Sequence, residues 1–501
     1  MRRITRRELA AEGLLAASVL ALGGCGARKP TPTGSTLRST WTDPVGDGQL
    51  RVSPGEPLID RLELAPRSTP AKVLATIAHV TDAHVLDASS PARVTFLNRL
   101  GSPFQSTFRP QEALTLHVLA GTLAAIRALG PDLLIQGGDL LDNAQGNELE
   151  QALAVLRGGP VRPGSGPDGY FGVQSAFNPD PFYYRPDVDA PQHPGLLRSA
   201  VRPFSSQGLS MPTYPVLGDH DVLVAGEIVP TPLTRSLAIG DRALWELPPG
   251  LTLPPGARAQ AALSPDGPPA PGLVNDFLER ALAGSTVRVP SDPARHELSV
   301  SEVVERLRRA PGAGASGRRG ERLDYAVDVG EDLRLIVLDL ARRDGGSGGL
   351  VSAGQPAWLE RRLASAGRRW IVVISHQPLA SSVGGEQVLA LLDTSPRVIA
   401  VLSGHTHRNR IVPRPTPAGG YWMITTASLI DYPQQARALR VMLTAGGGIA
   451  LETWMLDHVV PGPLGTISRE LAYLDAQGGR PGGFAGTRLD RNVRLYRRGA
   501  A

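Results

Sequence analysis

Two histidines separated by one residue, His405 and His407, follow an apolar run over 398–402 and a glycine, Gly404. Imidazole is the commonest metal-ligand side chain. At the end of an extended strand, side chains i and i+2 point the same way, so both rings would face one point. Alone, such a pair reads equally well as two polar residues in a surface turn. Four further blocks end apolar runs in the same manner: Asp82 with His84, Asp139, Asp219 with His220, and His376. All are oxygen or imidazole donors. The single cysteine, Cys25, leaves no disulfide and no thiolate zinc site. Such a donor set suits Mn, Fe or Zn and is too large for one tetrahedral ion. Two ions about 3.5–4 Å apart, sharing a carboxylate, form a clamp for in-line phosphoryl displacement.

In chain order, Asp82-x-His84, Gly138-Asp139, Gly218-Asp219-His220-Asp221, His376 and Gly404-His405-x-His407 resemble the calcineurin-like metallophosphoesterase signature. Gln355-x-x-Trp358-Leu359 and Thr426-Ala427-Ser428 resemble flanking segments of that family. The resemblance spans roughly 73–454. It implies an α/β fold, a four-layer α/β/β/α sandwich with two long insertions, and a metal-dependent phosphoric ester hydrolase using two metal ions. It further implies that Asp82, His84 and His407 hold the first ion, that Asp139 bridges, and that His376, His405 and Asp219 hold the second. His220 would sit near the leaving group, as proton donor or charge stabiliser. The nucleophile would be a hydroxide bridging the metals, not a side chain. One position departs from the pattern: the family usually has Asn where Asp219 stands. The added negative charge should tighten the second ion and repel a phosphate dianion, so phosphodiesters are expected over monoesters. A non-catalytic metal-binding envelope lipoprotein and a nucleotide or pyrophosphate hydrolase on the same fold are the alternatives.

Elements must end where these blocks begin. Apolar runs at 73–80, 131–136, 214–217, 370–374 and 398–402 are expected strands. A helix is expected from Pro110, a residue tolerated in a first turn, to the stop at Gly130. Others are expected over 148–156, over 355–363 and ahead of 398. A hairpin over 323–329 and 333–338 turns at Gly330, and strands are expected at 423–426, 438–443 and 449–454. Strands alternating with helices make an α/β pattern, and the uninterrupted later strands add an antiparallel part or a second sheet. Residues 85–108 read as polar and irregular, and 345–349 as a flexible glycine loop. One insertion, 158–207, is dense in Pro, Gly and aromatics. The other, 222–321, contains the capping box Ser299-x-x-Glu302 and a Gly/Arg-rich piece, 311–320, expected to be mobile. His79 and His117 read as structural, and His193, His296 and His458 as solvated. Asp142 and Asn143 either support Asp139 or cap the next helix, and Asp221 either orients His220 or turns the chain. Asp431 and Tyr432 follow the 423–426 strand and either line the pocket or carry no role.

The 501-residue chain, with 42% hydrophobic and 20% charged residues, is globular in composition. Its net charge of +5 includes no run of Lys or Arg with interleaved aromatics, so no nucleic-acid footprint is expected. Residues 1–24 read as an export signal: a basic stretch with Arg6 and Arg7 resembling a twin-arginine signal, then a short apolar stretch. Leu22-Gly23-Gly24-Cys25 resembles a lipoprotein box with Cys25 lipidated, placing the protein in the cell envelope on a membrane anchor. Residues 25–70 are expected as a linker, 71–456 as the metallophosphoesterase domain and 457–501 as a weakly structured extension.

Overall fold

The computed structural model describes residues 33–100, 107–246, 248, 250–252, 266–268, 271–284, 286–309, 320–479 and 481–500. The export segment, Cys25 and most of the 311–320 piece lie outside the described residues. Two sheets organise the rest. The seven-stranded sheet is built from β1 (Ile59–Arg61), β2 (Pro70–Val80), β3 (Leu133–Gln136) and β4 (Thr213–Pro215) with three later strands. The six-stranded sheet contains β5 (Tyr325–Val329), β6 (Leu333–Leu338), β7 (Trp370–Ser375), β8 (Val398–Ser403), β9 (Arg410–Arg414) and β10 (Tyr421–Thr425). The chain then returns to the first sheet with β11 (Gln435–Thr444), β12 (Ile449–Asp457) and β13 (Val493–Arg497). Spatial order is β1-β13-β12-β11-β2-β3-β4 in one sheet and β5-β6-β7-β8-β10-β9 in the other.

Side-chain alternation explains the layering. Along β6, Leu333, Leu335 and Val337 join the large core that also contains Leu439 and Trp454 of the other sheet. Ile336 and Leu338 point the opposite way, into a cluster with Leu359, Val388 and Leu389. Those last residues belong to helices over Gln355–Ala364 and Gly385–Asp393. Strands covered on both faces read as continuous apolar runs, and β7 and β8 are buried at every position. On the other side, Thr115–Leu129 and Gly146–Arg157 pack on each other, and the first also packs on β12. Helix, sheet, sheet and helix give the α/β/β/α sandwich.

Several expectations change. The 25–70 linker contributes a hairpin, Ser39–Thr42 with Arg51–Pro54, and β1. The 457–501 extension contributes the helix Pro463–Leu474 and β13, which pairs with both β12 and β1. Low local hydrophobicity hid these strands; their partners lie more than four hundred residues away in sequence for β1 and β13. β9 was also hidden, its Arg and Pro content masking an edge strand. Residues 85–99 are largely buried rather than loosely irregular. The 345–349 loop is tied down, with Gly346 N donating to Glu227 O at 2.9 Å and Ser347 O accepting from Gln377 Nε2 at 3.1 Å. His458 is buried, not solvated. The Ser299–Glu302 capping box forms as expected. The insertions interlock: Phe108, Val173, Tyr183, Trp245 and Val289 share one apolar cluster.

Candidate metal centre

Five blocks lie at the C-terminal ends of five strands. Asp82 and His84 follow β2, Asp139 follows β3, and Asp219 and His220 follow β4. These three strands are parallel neighbours. His376 follows β7 and His405 and His407 follow β8, a parallel pair in the other sheet. Ligands in α/β sheets bind beyond strand carboxyl ends. Here two such edges face each other.

Beyond the strand ends the backbone turns sharply. Asp82, His84, Asp139, His405 and His407 all have positive φ, between 43° and 67°. Strain of order 1–3 kcal/mol per residue of this kind gathers at functional sites. It also corrects the expectation drawn from extended geometry. His405 and His407 do not face one point; they enter two adjacent groups. Asp82, His84 and His407 form one, and Asp139, Asp219, His376 and His405 the other, with all donor atoms in each group within 4.8 Å of one another.

The contacts define the border between the groups. His407 Nε2 lies 3.2 Å from Asp82 Oδ1 and 3.3 Å from His84 Nε2. His376 Nε2 lies 3.0 Å from Asp139 Oδ2 and 3.4 Å from Asp219 Oδ1, and His405 Nδ1 lies 3.3 Å from Asp219 Oδ1. Asp139 Oδ2 is also 3.7 Å from His84 Nε2, so one oxygen stands between both groups, while Oδ1 accepts from His220 N at 2.9 Å. Glycines allow the loops to approach: a Cβ on Gly218 would lie 2.2 Å from Asp139 Oδ1. These donors fit two metal ions. They are all imidazole nitrogens and carboxylate oxygens, and the buried His376 Nε2 faces Asp139 Oδ2 and Asp219 Oδ1 without an aligned hydrogen bond to either.

Sequence comparison finds a family match over part of the chain. Residues 311–409 match the family model of the calcineurin-like phosphoesterases, a span that takes in His376, His405 and His407. The chain carries a calcineurin-like phosphoesterase domain. By that family it is a metal-dependent phosphoric ester hydrolase. No curated protein matches the chain. Solved structures similar to the phosphoesterase include a dimetal phosphatase from Danio rerio, 13% identical, covering 77% of this chain and 97% of that one, with a TM-score of 0.37. PhoD is 12% identical, covering 86% and 82%, with a TM-score of 0.32. A 5'-nucleotidase from Staphylococcus aureus is 12% identical, covering 77% of this chain but 55% of that one, with a TM-score of 0.30.

Electrostatics within the phosphoesterase site follow from packing anions against imidazoles. Burial works to raise Asp82 and Asp219, yet neighbouring histidines outweigh it and hold both below the usual carboxylate range. Burial works against charge on His407, yet Asp82 and Asp431 push it up to about 9. His84 is lowered to about 4 by burial and by His220. His220 is raised, Asp139, Asp219 and Asp142 prevailing over burial. Metal ions and protons compete for such nitrogens.

The groups around the donors were only partly evident from sequence. Asp142 accepts from His84 Nδ1 at 3.2 Å, and its backbone carbonyl accepts from His220 Nδ1 at 2.8 Å. It is not a helix cap, since Gln145 holds that position. Asn143 Oδ1 accepts from Ala225 N at 3.0 Å. Asp221 turns the chain: its carboxylate accepts from Leu140 N, Leu141 N and Gly218 N. Gln377 Nε2 donates to Asp219 Oδ1 at 2.9 Å, and its place next to His376 was the available signal. Asp431 accepts from His407 Nδ1 at 2.5 Å. His79 shares a hydrogen bond with Thr426 Oγ1 at 2.9 Å, and His117 Nε2 donates to Ala200 O at 2.9 Å, so both are structural. His193 Nε2 is 3.3 Å from Glu470, and His296 is exposed.

Proposed function

We propose that this phosphoesterase hydrolyses phosphodiesters in preference to monoesters. The observation that carries the reading is Asp219, a carboxylate in the donor group where the family usually has a neutral amide. In this reading Asp82, His84 and His407 hold one ion, His376, His405 and Asp219 the other, and Asp139 lies between them. Bound ions of this kind supply an activated water and positive charge for phosphoryl oxygens. His220 holds a proton for the leaving oxygen. Its Nδ1 is committed to Asp142 O, which leaves Nε2, 4.0 Å from Asp219 Oδ2, to face the reacting ester. Asp219 adds one negative charge, which repels a monoester dianion by about 1–3 kcal/mol more than a diester monoanion at roughly 5 Å.

The test compares a chromogenic phosphodiester with the matching monoester on Mn²⁺-loaded protein, with His376→Ala as the blank. Asp219→Asn should move the diester-to-monoester ratio toward the monoester by about tenfold, in line with that repulsion. An unchanged ratio would sink the preference, and no turnover on either ester would favour a binding protein or a nucleotide or pyrophosphate substrate.

Export by the twin-arginine route and lipidation at Cys25 belong to the same proposal. The Arg6-Arg7 pair, the short apolar stretch and the Leu-Gly-Gly-Cys sequence support them. Replacing Arg6 and Arg7 by Lys should trap the protein in the cytoplasm; normal export of that variant would refute the route.

A further inference from the structure

We infer that Asp431, clamped by Arg109, is the positioning residue that presents His407 to the first metal group, and that Arg93 with Arg109, Gln111 and Glu112 forms the buttress behind that group. The inference rests on reading Asp82, His84 and His407 as one ion's ligands. An imidazole offers only one nitrogen at a time to a metal, and the hydrogen bond at the other decides which. His407 gives Nδ1–H to Asp431 Oδ2 at 2.5 Å, leaving Nε2 toward Asp82 Oδ1 and His84 Nε2. Arg109 Nε donates to the other oxygen, Asp431 Oδ1, at 2.8 Å, so the carboxylate is held at both ends. Arg109 and Asp431 are each 1% exposed.

The clamp continues into its own segment. Arg109 N donates to Glu112 Oε2 at 3.1 Å. Glu112 is held by Arg93, at 2.6 Å and 3.0 Å to its two oxygens. Arg93 Nε also lies 3.7 Å from Asp142 Oδ2, the carboxylate behind His84. Gln111 Nε2 donates to Ile430 O at 3.0 Å, docking the segment beside Asp431. Both histidines of the first group are thus backed by a carboxylate that faces an arginine from one segment. The second group is built differently. His376 Nδ1 donates to the backbone carbonyl of Gly137 at 2.8 Å, and His405 directs Nδ1 itself at Asp219. The buttress therefore serves one metal and not the other.

Cobalt(II) titration of the purified full chain, followed by visible absorption and by bound-metal stoichiometry, tests this. Wild type should take up two ions. Asp431→Ala should weaken one of them by about 10- to 100-fold and leave the other unchanged. Asp431→Asn, which keeps the volume and an acceptor for Nδ1–H, should recover part of the loss. It also serves if the alanine variant does not fold. His117→Gln, which removes a structural hydrogen bond elsewhere, should leave both affinities alone. Two unweakened ions in both Asp431 variants, or equal weakening in His117→Gln, would overturn the inference alone. A wild type that takes up no cobalt would overturn the metal-centre reading and this inference with it.

Discussion

Gly404 shows what a single residue does here. A Cβ at that position would lie 2.0 Å from Thr81 Oγ1 and 2.6 Å from Asp82 Oδ2. Asp82 also accepts from His405 N at 3.1 Å, so the two loops interlock through this gap. Gly404→Ala should force the loops apart at a cost of about 1–3 kcal/mol. Bound Mn²⁺ should fall in metal analysis while the far-ultraviolet circular dichroism is retained; full metal content would show that the loops yield without harm. The candidate donor residues themselves are legible in the sequence, because each is a metal-type donor placed just after an apolar run. Asp431 is not. Its role depends on Arg109, 322 residues away in sequence, and a lone Asp after Ile430 carries no such mark.

At the scale of elements, β13 departs furthest from expectation. Val493–Arg497 lies between β12 and β1, and its Val493, Leu495 and Tyr496 are buried. Arg497, 2% exposed, donates to Gly420 O at 3.1 Å and Ala418 O at 3.0 Å, tying this strand to the other sheet. Ending the chain at residue 480 would leave β12 and β1 without their shared partner and strand those carbonyls. That truncation should give insoluble protein or a lost cooperative melting transition; a soluble, cooperatively melting product would make the strand dispensable. Of the site-bearing strands, β3, β7 and β8 are readable because full burial makes them near-continuous runs of Val, Ile and Leu, whereas β2 is buried only toward its end and β4 is the short Thr213-Tyr214-Pro215. β1, β9 and β13 are not readable, since short or Arg-rich strands become strands only through their neighbours.

Over the whole molecule, the candidate metal centre joins the sheets. Three ligand-bearing loops come from one sheet and two from the other, and each donor group draws on both. An ion bound only by the native state stabilises it by about 2.7 kcal/mol at a hundredfold excess over its dissociation constant. Removing metal with a chelator should lower the melting temperature, and adding Mn²⁺ back should raise it in steps with concentration. A melting temperature indifferent to both would show that the sheets do not need the ions. The sequence by itself determined which donors are present, that strands end at them, and the alternation that makes an α/β sandwich. These are local properties, written in residue type and period. Residue spacing alone would turn His405 and His407 to one point; the resemblance assigns them to separate ions, and the tertiary structure supplies the reason, left-handed backbone at both positions in place of the extended geometry a strand would have continued. It alone decided that Ile59–Arg61 and Val493–Arg497 join the first sheet and that Arg93 and Arg109 stand behind one donor group, because those pairings link residues far apart in the chain.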